Sequence, residues 1–457
     1  MVKFPIYTLS LFLFALFMTV NCSPEKASEA SLSDTGKLAD SILANISEPD
    51  IPDYSINMID FAGIKDSACD YRKDIAEAIK LCSSVGGGKI IFPSGKYVVR
   101  GPIHLESNIE LCLDEDAEII FGGDYSNYLP AVKTRWEGII LYNYSPFIYA
   151  IKKENIAITG NGTINGNSLN TWNTWVHLQT DGQERARKMN REGVSVEERI
   201  FGEGDFLRTC LIEFYECKNI LIEGVKITDS PFWCIHPVFS KNIIVRNVWF
   251  SAQNHNNDGI DPDSSEDMLI DSVIFDNRDD NIAIKSGRDR EGRELGIPSR
   301  NILIRNCFFK GHNAFCIGSE MSGDVYNVII ENCSYSGSVR SGFYLKSNED
   351  RGGKIYRIRA NNLEFDSCRF VIELDTDYKN EGKGYPAVFY DIKVENLKAN
   401  YAGDFGISIV GIKGTPLHDI LIRNVTIEDA VTDFRSENTF ALQFEKVEIN
   451  GHIVELW

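Results

Sequence analysis

Four short segments of this sequence close on a serine and carry most of its chemically versatile side chains. They are Asn256–Ser264 (NNDGIDPDS), Arg278–Ser286 (RDDNIAIKS), Gly311–Ser319 (GHNAFCIGS) and Arg340–Ser347 (RSGFYLKS). Aligned on the serine, Asp258 falls over Asp280, His312 lies beside Asp279, and Lys285 shares a register with Lys346 two segments later. If the segments are neighbouring strands, equivalent positions are about 4.8 Å apart. Three carboxylates so close push at least one pKa upward, leaving a shared proton near neutral pH. A carboxylic acid beside an ionised carboxylate suits hydrolysis of a glycosidic bond, one group protonating the leaving oxygen and the other activating water. His312 tunes or replenishes that proton, or else stabilises a turn. Lys285 and Lys346 would grip an anionic group of the substrate. Packing does not call for the acids, because Ile260, Ile282, Ile284, Phe315, Ile317, Phe343 and Leu345 already supply the inward-facing residues. An asparagine ladder at turns, which would suit Asn256 and Asn257, and a calcium site are the competing readings of the cluster.

The elements that must position these residues repeat. ENIAITGNGTI (from Glu154), KNILIEGVKI (Lys218), KNIIVRNVWF (Lys241), EDMLIDSVIF (Glu266) and RNILIRNCFF (Arg300) rhyme with copies starting at Tyr326, Tyr356, Tyr390 and His418. Each copy reads as two short strands of period two, with no helical periodicity between copies. Spacings are too short for repeated βαβ units and too irregular for propeller blades. The expectation is an all-β chain, a right-handed parallel β-helix with one repeat per coil. Before it, Asp70–Ser83 predicts a short helix with Ile75, Ala78, Ile79 and Cys82 on one face, ended by Gly86-Gly87-Gly88, to cap the open end of the solenoid.

The chain has 457 residues, 43% of them apolar, and a net charge of −19. That apolar fraction excludes disorder, and the acidic balance argues against a nucleic-acid partner. Residues 1–22 read as a signal peptide, with the apolar run Leu9–Val20 too short to span a bilayer. Asn21-Cys22-Ser23 fits a lipoprotein signal with Cys22 acylated, so membrane contact is expected only through that anchor. Residues 23–50 read as a polar tether and 51–457 as a single β-helix domain. The expected location is the periplasm, outer membrane or cell surface of a Gram-negative bacterium. Most remaining cysteines lie in apolar runs and lack paired zinc spacing, so they read as buried small hydrophobes.

With these motifs the sequence resembles glycoside hydrolase family 28, the polygalacturonases of pectin breakdown, from about Phe61 onward. The resemblance rests on Asn256-Asn257-Asp258-Gly259, Asp279-Asp280 with the following Asn281–Gly287, Gly311-His312 and Tyr344-Leu345-Lys346, with Ile317–Gly323 typical of bacterial members. It implies Asp279 as general acid, Asp258 and Asp280 as the pair holding the hydrolytic water, His312 as support for the acid, and Lys346 as a galacturonate-binding cation. It also implies inversion, with acid and base roughly 6.5–9.5 Å apart, and no cofactor or metal. Tyr344 stands where the family usually carries arginine, so a planar carboxylate clamp is missing and a sugar-stacking ring is expected instead. Asn313 also replaces a frequent glycine. Asn256, Lys285, His236 and Arg288 are further substrate-binding candidates, His236 equally readable as a turn residue and Arg288, with Arg290 and Arg293, as a solvated charge run. The insertion Gln179–Phe206 would wall off one end of a groove and favour attack from a chain end. A monomer acting on a pectic polysaccharide or oligosaccharide is the outcome. A calcium-dependent pectate lyase and a non-catalytic glycan-binding β-helix are the alternatives.

Overall fold

The structure, a computed structural model, describes residues 34–64 and 69–456. The leader, Cys22 and the tether as far as residue 33 lie outside the described residues. The repeated segments stack as coils of a right-handed parallel β-helix. Lys218, Lys241, Glu266, Arg300, Tyr326, Tyr356, Tyr390 and His418 pair in succession, so each rhyming copy is one rung of the same sheet. From Val325 onward the separate short strands fuse into bent strands of 22, 22, 23 and 21 residues.

The second residue of many rungs is asparagine for a reason visible at the turn. Asn155, Asn219 and Asn242 have φ of 54, 53 and 54°, in the left-handed region that asparagine tolerates better than most residues. Their side chains bond up the stack, Asn155 to Asn108, Asn219 to Asn155 and Asn242 to Asn219, each at 2.8 Å. An asparagine ladder is therefore present, but here rather than at the acids.

Two helices flank the coils, α1 (Asp34–Leu43) and α2 (Arg72–Ser84). In α2 the predicted face, Ile75, Ala78, Ile79 and Cys82, is buried against the first coils and closes that end of the core. The expectation of a tether running to residue 50 is corrected by α1. Ala39 and Ile42, with the partly buried Leu38, Leu43, Ile46 and Ile51, form one apolar cluster with Ala157, Leu221, Ile244, Leu269, Leu303 and Ile329, the outward-facing middle residues of successive rungs. Asp34 reaches Arg359 at 4.0 Å, while Ser47 N–H donates to Asn242 and Glu48 pairs with Arg246 at 2.7 Å. Residues 34–50 are thus part of the folded body, held by burial of an apolar stripe. The cysteines among the described residues are free thiols, most of them buried.

The elements that build the site follow in chain order. A hairpin of β1 (Val132–Trp136) and β2 (Ile139–Asn143) leaves the coil, as does α3 (Thr180–Glu192) in the predicted insertion. Strand β3 (Asn277–Ile284), helix α4 (Asp289–Leu295), β4 (Gly311–Ile317), β5 (Val325–Lys346) and β6 (Lys354–Asp375) complete them.

Ile42→Ala is expected to lower the local opening free energy of α1 by about 2–3 kcal/mol. Amide hydrogen exchange would then quicken over residues 34–43 and leave the β3 and β4 amides unchanged.

Candidate active site

Period-two alternation alone would send Asp279 and Asp280 to opposite faces of β3. A bulge prevents this. Asn277 pairs with Gly311 but Asp280 pairs with Asn313, so three residues of β3 are spanned by two of β4 and the strand is re-aimed. Gly311 makes the close approach possible, since a Cβ there (φ 121°) would stand 1.7 Å from the Asn277 carbonyl oxygen. On the preceding coil, Gly259 N–H donates to Asp280 O at 2.9 Å and locks Asp258 beside Asp280, as the serine alignment predicts. Oxygens of Asp258, Asp279 and Asp280 come within 4.8 Å of one another. That is tighter than the 6.5–9.5 Å expected from the resemblance.

The environments of the three acids separate their protonation. Asp280 is 2% exposed. Burial would raise its pKa, but Lys346 and Lys285, with hydrogen bonds from Lys346 (2.7 Å) and Asn313 (2.6 Å), outweigh it and hold the carboxyl well below its usual range. Asp258 is 4% exposed, and burial, then repulsion from Asp261, Asp279 and Asp280, drives its pKa well up. Its Oδ1 is buried without a hydrogen-bond partner. Asp279 is also raised, by burial and then by Asp280, against the opposing pull of Lys346 and His312. It is the member of the trio that keeps partial solvent exposure. The arrangement sets Asp280, favoured in its ionised form, next to two carboxyls shifted toward protonation, of which Asp279 is the one that solvent reaches. The trio has the spacing of a cation site, but Lys346 already neutralises Asp280 and Lys285 stands close by, which suits proton chemistry better than a divalent ion.

A cavity of about 340 Å³ opens over the acids, and His312, Asn256, Lys285, Arg288 and Lys346 line it with them. Asn256 aligns the acid, its Nδ2 donating to Asp279 Oδ2 at 3.4 Å while its Oδ1 accepts from Arg208 at 2.6 Å. Lys285 donates to the Gly318 carbonyl (3.0 Å), pairs with Glu320 (3.4 Å) and lies over the Trp233 ring. Arg288 pairs with Glu320 (3.0 Å) and Glu137 (3.4 Å), so it is a built part of the pocket rather than a solvated charge.

Two candidates fail as direct substrate contacts. Tyr344 is 1% exposed. It faces away from the core but packs with Ala283 and Cys316 under Tyr378, with Arg340 and Lys346 over its ring, so no sugar can stack on it. His236 is 0% exposed and sits in a closed polar cluster with Glu213 (3.2 Å), Cys210 (3.5 Å) and Asp263 (3.7 Å), one layer behind Trp233. Arg290 and Arg293, which follow Arg288, turn away from the pocket, Arg290 to Glu294 and Arg293 to the ring of Tyr385.

Sequence reasoning missed the loop-borne part of the pocket. Glu137 comes from the β1–β2 turn and accepts from Arg187 of α3 at 2.9 Å. Glu320 lies within the quoted run Ile317–Gly323 and binds Lys285, Arg288 and Arg351, which hold its carboxyl well below the usual range in spite of burial. Tyr378, Lys379 and Glu381 follow β6. Asp261, wholly buried with neither oxygen hydrogen-bonded, was also overlooked, and burial keeps its pKa well up.

The profile of Glycosyl hydrolases family 28 matches residues 208–443, the span that holds all three acids. The chain belongs to that family. It is therefore a glycoside hydrolase. A solved structure of a hyperthermoactive exopolygalacturonase from Thermotoga maritima superposes with a TM-score of 0.84 at 39% identity, covering 91% of this chain and 96% of that one. A protein named "Probable polygalacturonase" from Vitis vinifera is 27% identical over 82% of this chain and 74% of its own length. An endo-polygalacturonase of Pectobacterium carotovorum is 26% identical over 72% and 77% respectively.

Replacing Lys346 with methionine removes the cation that keeps Asp280 ionised, so the Asp280 pKa must rise. Activity that needs ionised Asp280 is then lost at higher pH than in the unaltered enzyme. The acid limb of the kcat/KM profile is expected to move upward in Lys346→Met, together with a fall in rate of tenfold or more.

Proposed function

We propose that this family 28 enzyme hydrolyses α-linked galacturonic acid in pectic chains or oligosaccharides, working from a chain end and inverting the anomeric carbon. The observation that carries the reading is the solvent-reachable Asp279, its pKa shifted upward, within 4.8 Å of an Asp280 whose pKa is held low by Lys346, both on the wall of one cavity. Asp279 protonates the leaving oxygen. Asp280 takes the proton of the attacking water, and the free Oδ1 of Asp258 helps to hold that water. His312 lies beside Asp279 and favours the carboxylate that remains once the proton has been given up. Lys285, Lys346 and Arg288 offer positive charge to uronate carboxylates in a chain of net charge −19.

Chain-end attack is supported by the walls of the cavity. Glu137 and Arg187, from the hairpin and α3, and Tyr378, Lys379 and Glu381, from the turn after β6, line the cavity together with the acids, as loops bounding a chain-end pocket would. The names of the relatives agree with a galacturonan substrate, and the Thermotoga maritima enzyme is named an exopolygalacturonase. Export as a lipoprotein acylated at Cys22 belongs to the same proposal, supported by the apolar run Leu9–Val20 ahead of Asn21-Cys22-Ser23.

Asp279→Asn keeps the shape of the site and removes its acid, so kcat on polygalacturonate should fall a hundredfold or more. The unaltered enzyme should generate new reducing ends and release small products without the ultraviolet-absorbing double bond of a lyase, and chelator should leave its rate unchanged. Proton NMR should record the β-anomer first. Early α-anomer would mean retention, the outcome that carboxyl groups about 5 Å apart ordinarily give.

A further inference from the structure

Tyr344 stands where the family usually carries arginine and brings no positive charge, so the other cations of the pocket bear on carboxylate binding. Among the cations of the pocket, Lys346 is matched by Asp280, Lys285 by Glu320, Arg187 by Glu137 and Arg351 by Asp289. Lys379 differs. It is exposed and lines the cavity, and among the described residues it has no carboxylate or hydrogen-bond partner. Its Nζ lies 5.0 Å from the centroid of the Tyr378 ring. Tyr378 in turn sits edge-on to the buried Tyr344 at 6.5 Å and carries Lys346 on the same ring at 5.5 Å.

The turn that presents Lys379 is tied down. Tyr378 N–H donates to Ser347 O, and Asp377 N–H to Asp375 Oδ1, each at 2.8 Å. Lys379 itself adopts φ 60°, ψ 9°, a left-handed conformation disfavoured for lysine that the surrounding anchors enforce. The tyrosine at 344 therefore has a defined consequence: it forms the floor beneath Tyr378, and the ammonium group of Lys379, a residue of the cavity lining, lies over the ring of Tyr378.

We propose that Lys379, held over Tyr378, binds the carboxylate of a galacturonate residue on the C-terminal side of the catalytic acids, replacing the clamp that Tyr344 cannot supply. The proposal rests on the galacturonan reading of the site and adds a specificity-determining residue to it. An ammonium group contributes one point charge rather than a planar fork, so a neutral sugar at this position is disfavoured less strongly than an arginine would disfavour it.

The test is steady-state kinetics on galacturonate oligomers with Lys379→Met and Lys379→Arg. The methionine variant should lose about tenfold in kcat/KM, carried mainly in KM, with an unchanged unfolding temperature, and the arginine variant should recover most of it. A loss confined to kcat, or no loss, overturns the proposal. If the unaltered enzyme cleaves no galacturonate oligomer, the reading of the site fails instead. Calorimetric titration of the same oligomers then decides the clamp, about tenfold weaker binding by Lys379→Met sustaining it and equal binding ending it.

Discussion

Parallel strands in register place each residue on its counterpart one coil away, about 4.8 Å distant, and give it no freedom to move aside. In this protein that constraint sets Asp258 directly against Asp280 and brings Asp279 alongside through the β3 bulge. Charges that would spread apart on a flexible surface are held together by a backbone ladder whose apolar interior is buried on both sides of the site. The repulsion is resolved by dividing the roles. Lys346 fixes the charge on Asp280, and the proton stays with the neighbours. Removing the ladder would remove the chemistry, because nothing else keeps the acids so close.

Around this fixed rung, the loops decide what reaches it. The coils contribute Asn256, Lys285, His312 and Lys346, all in predictable register. The hairpin, α3 and the turn after β6 contribute Glu137, Arg187 and Lys379 from segments that obey no repeat. The anchoring of these loops is also polar. Arg199 pairs with Glu291, and Asn190 bonds both Arg288 O and Glu291 N, so α3 and α4 are fastened to each other beside the acids. Such buried ion pairs define geometry more than they add stability.

What the sequence made legible follows from the same division. The coil repeat, the cap-helix face and the pairing of Asp258 with Asp280 depend on local pattern, and the structure reproduces each. Tyr344 and His236 were misread because alternation tells which side of a strand a residue faces, and both do face away from the core. It does not tell what covers that side, and here Tyr378 and Trp233 with the surrounding polar cluster do so. The packing of α1 had a signal in plain view. Triplets such as Ile220-Leu221-Ile222 and Ile302-Leu303-Ile304 are apolar at three consecutive positions, which a strand with one wet face should not be. The pattern breaks at Ile358-Arg359-Ala360, where α1 presents the Asp34 carboxylate instead of an apolar side chain, and at Ile392-Lys393-Val394. Composition alone suggested a tether, since the segment before residue 50 is rich in small and polar residues.

In a solenoid each coil ordinarily touches only the one above and the one below, so strain on one end can peel rungs off in sequence. Helix α1 and the segment after it, as far as Ile51, break that rule by covering the outer residues of six rungs, from Ala157 to Ile329. Were the chain held at a surface through residues ahead of Asp34, a pulling force would enter through this brace. It would load several rungs in shear together rather than unzip the first, and the catalytic coils are among those it spans.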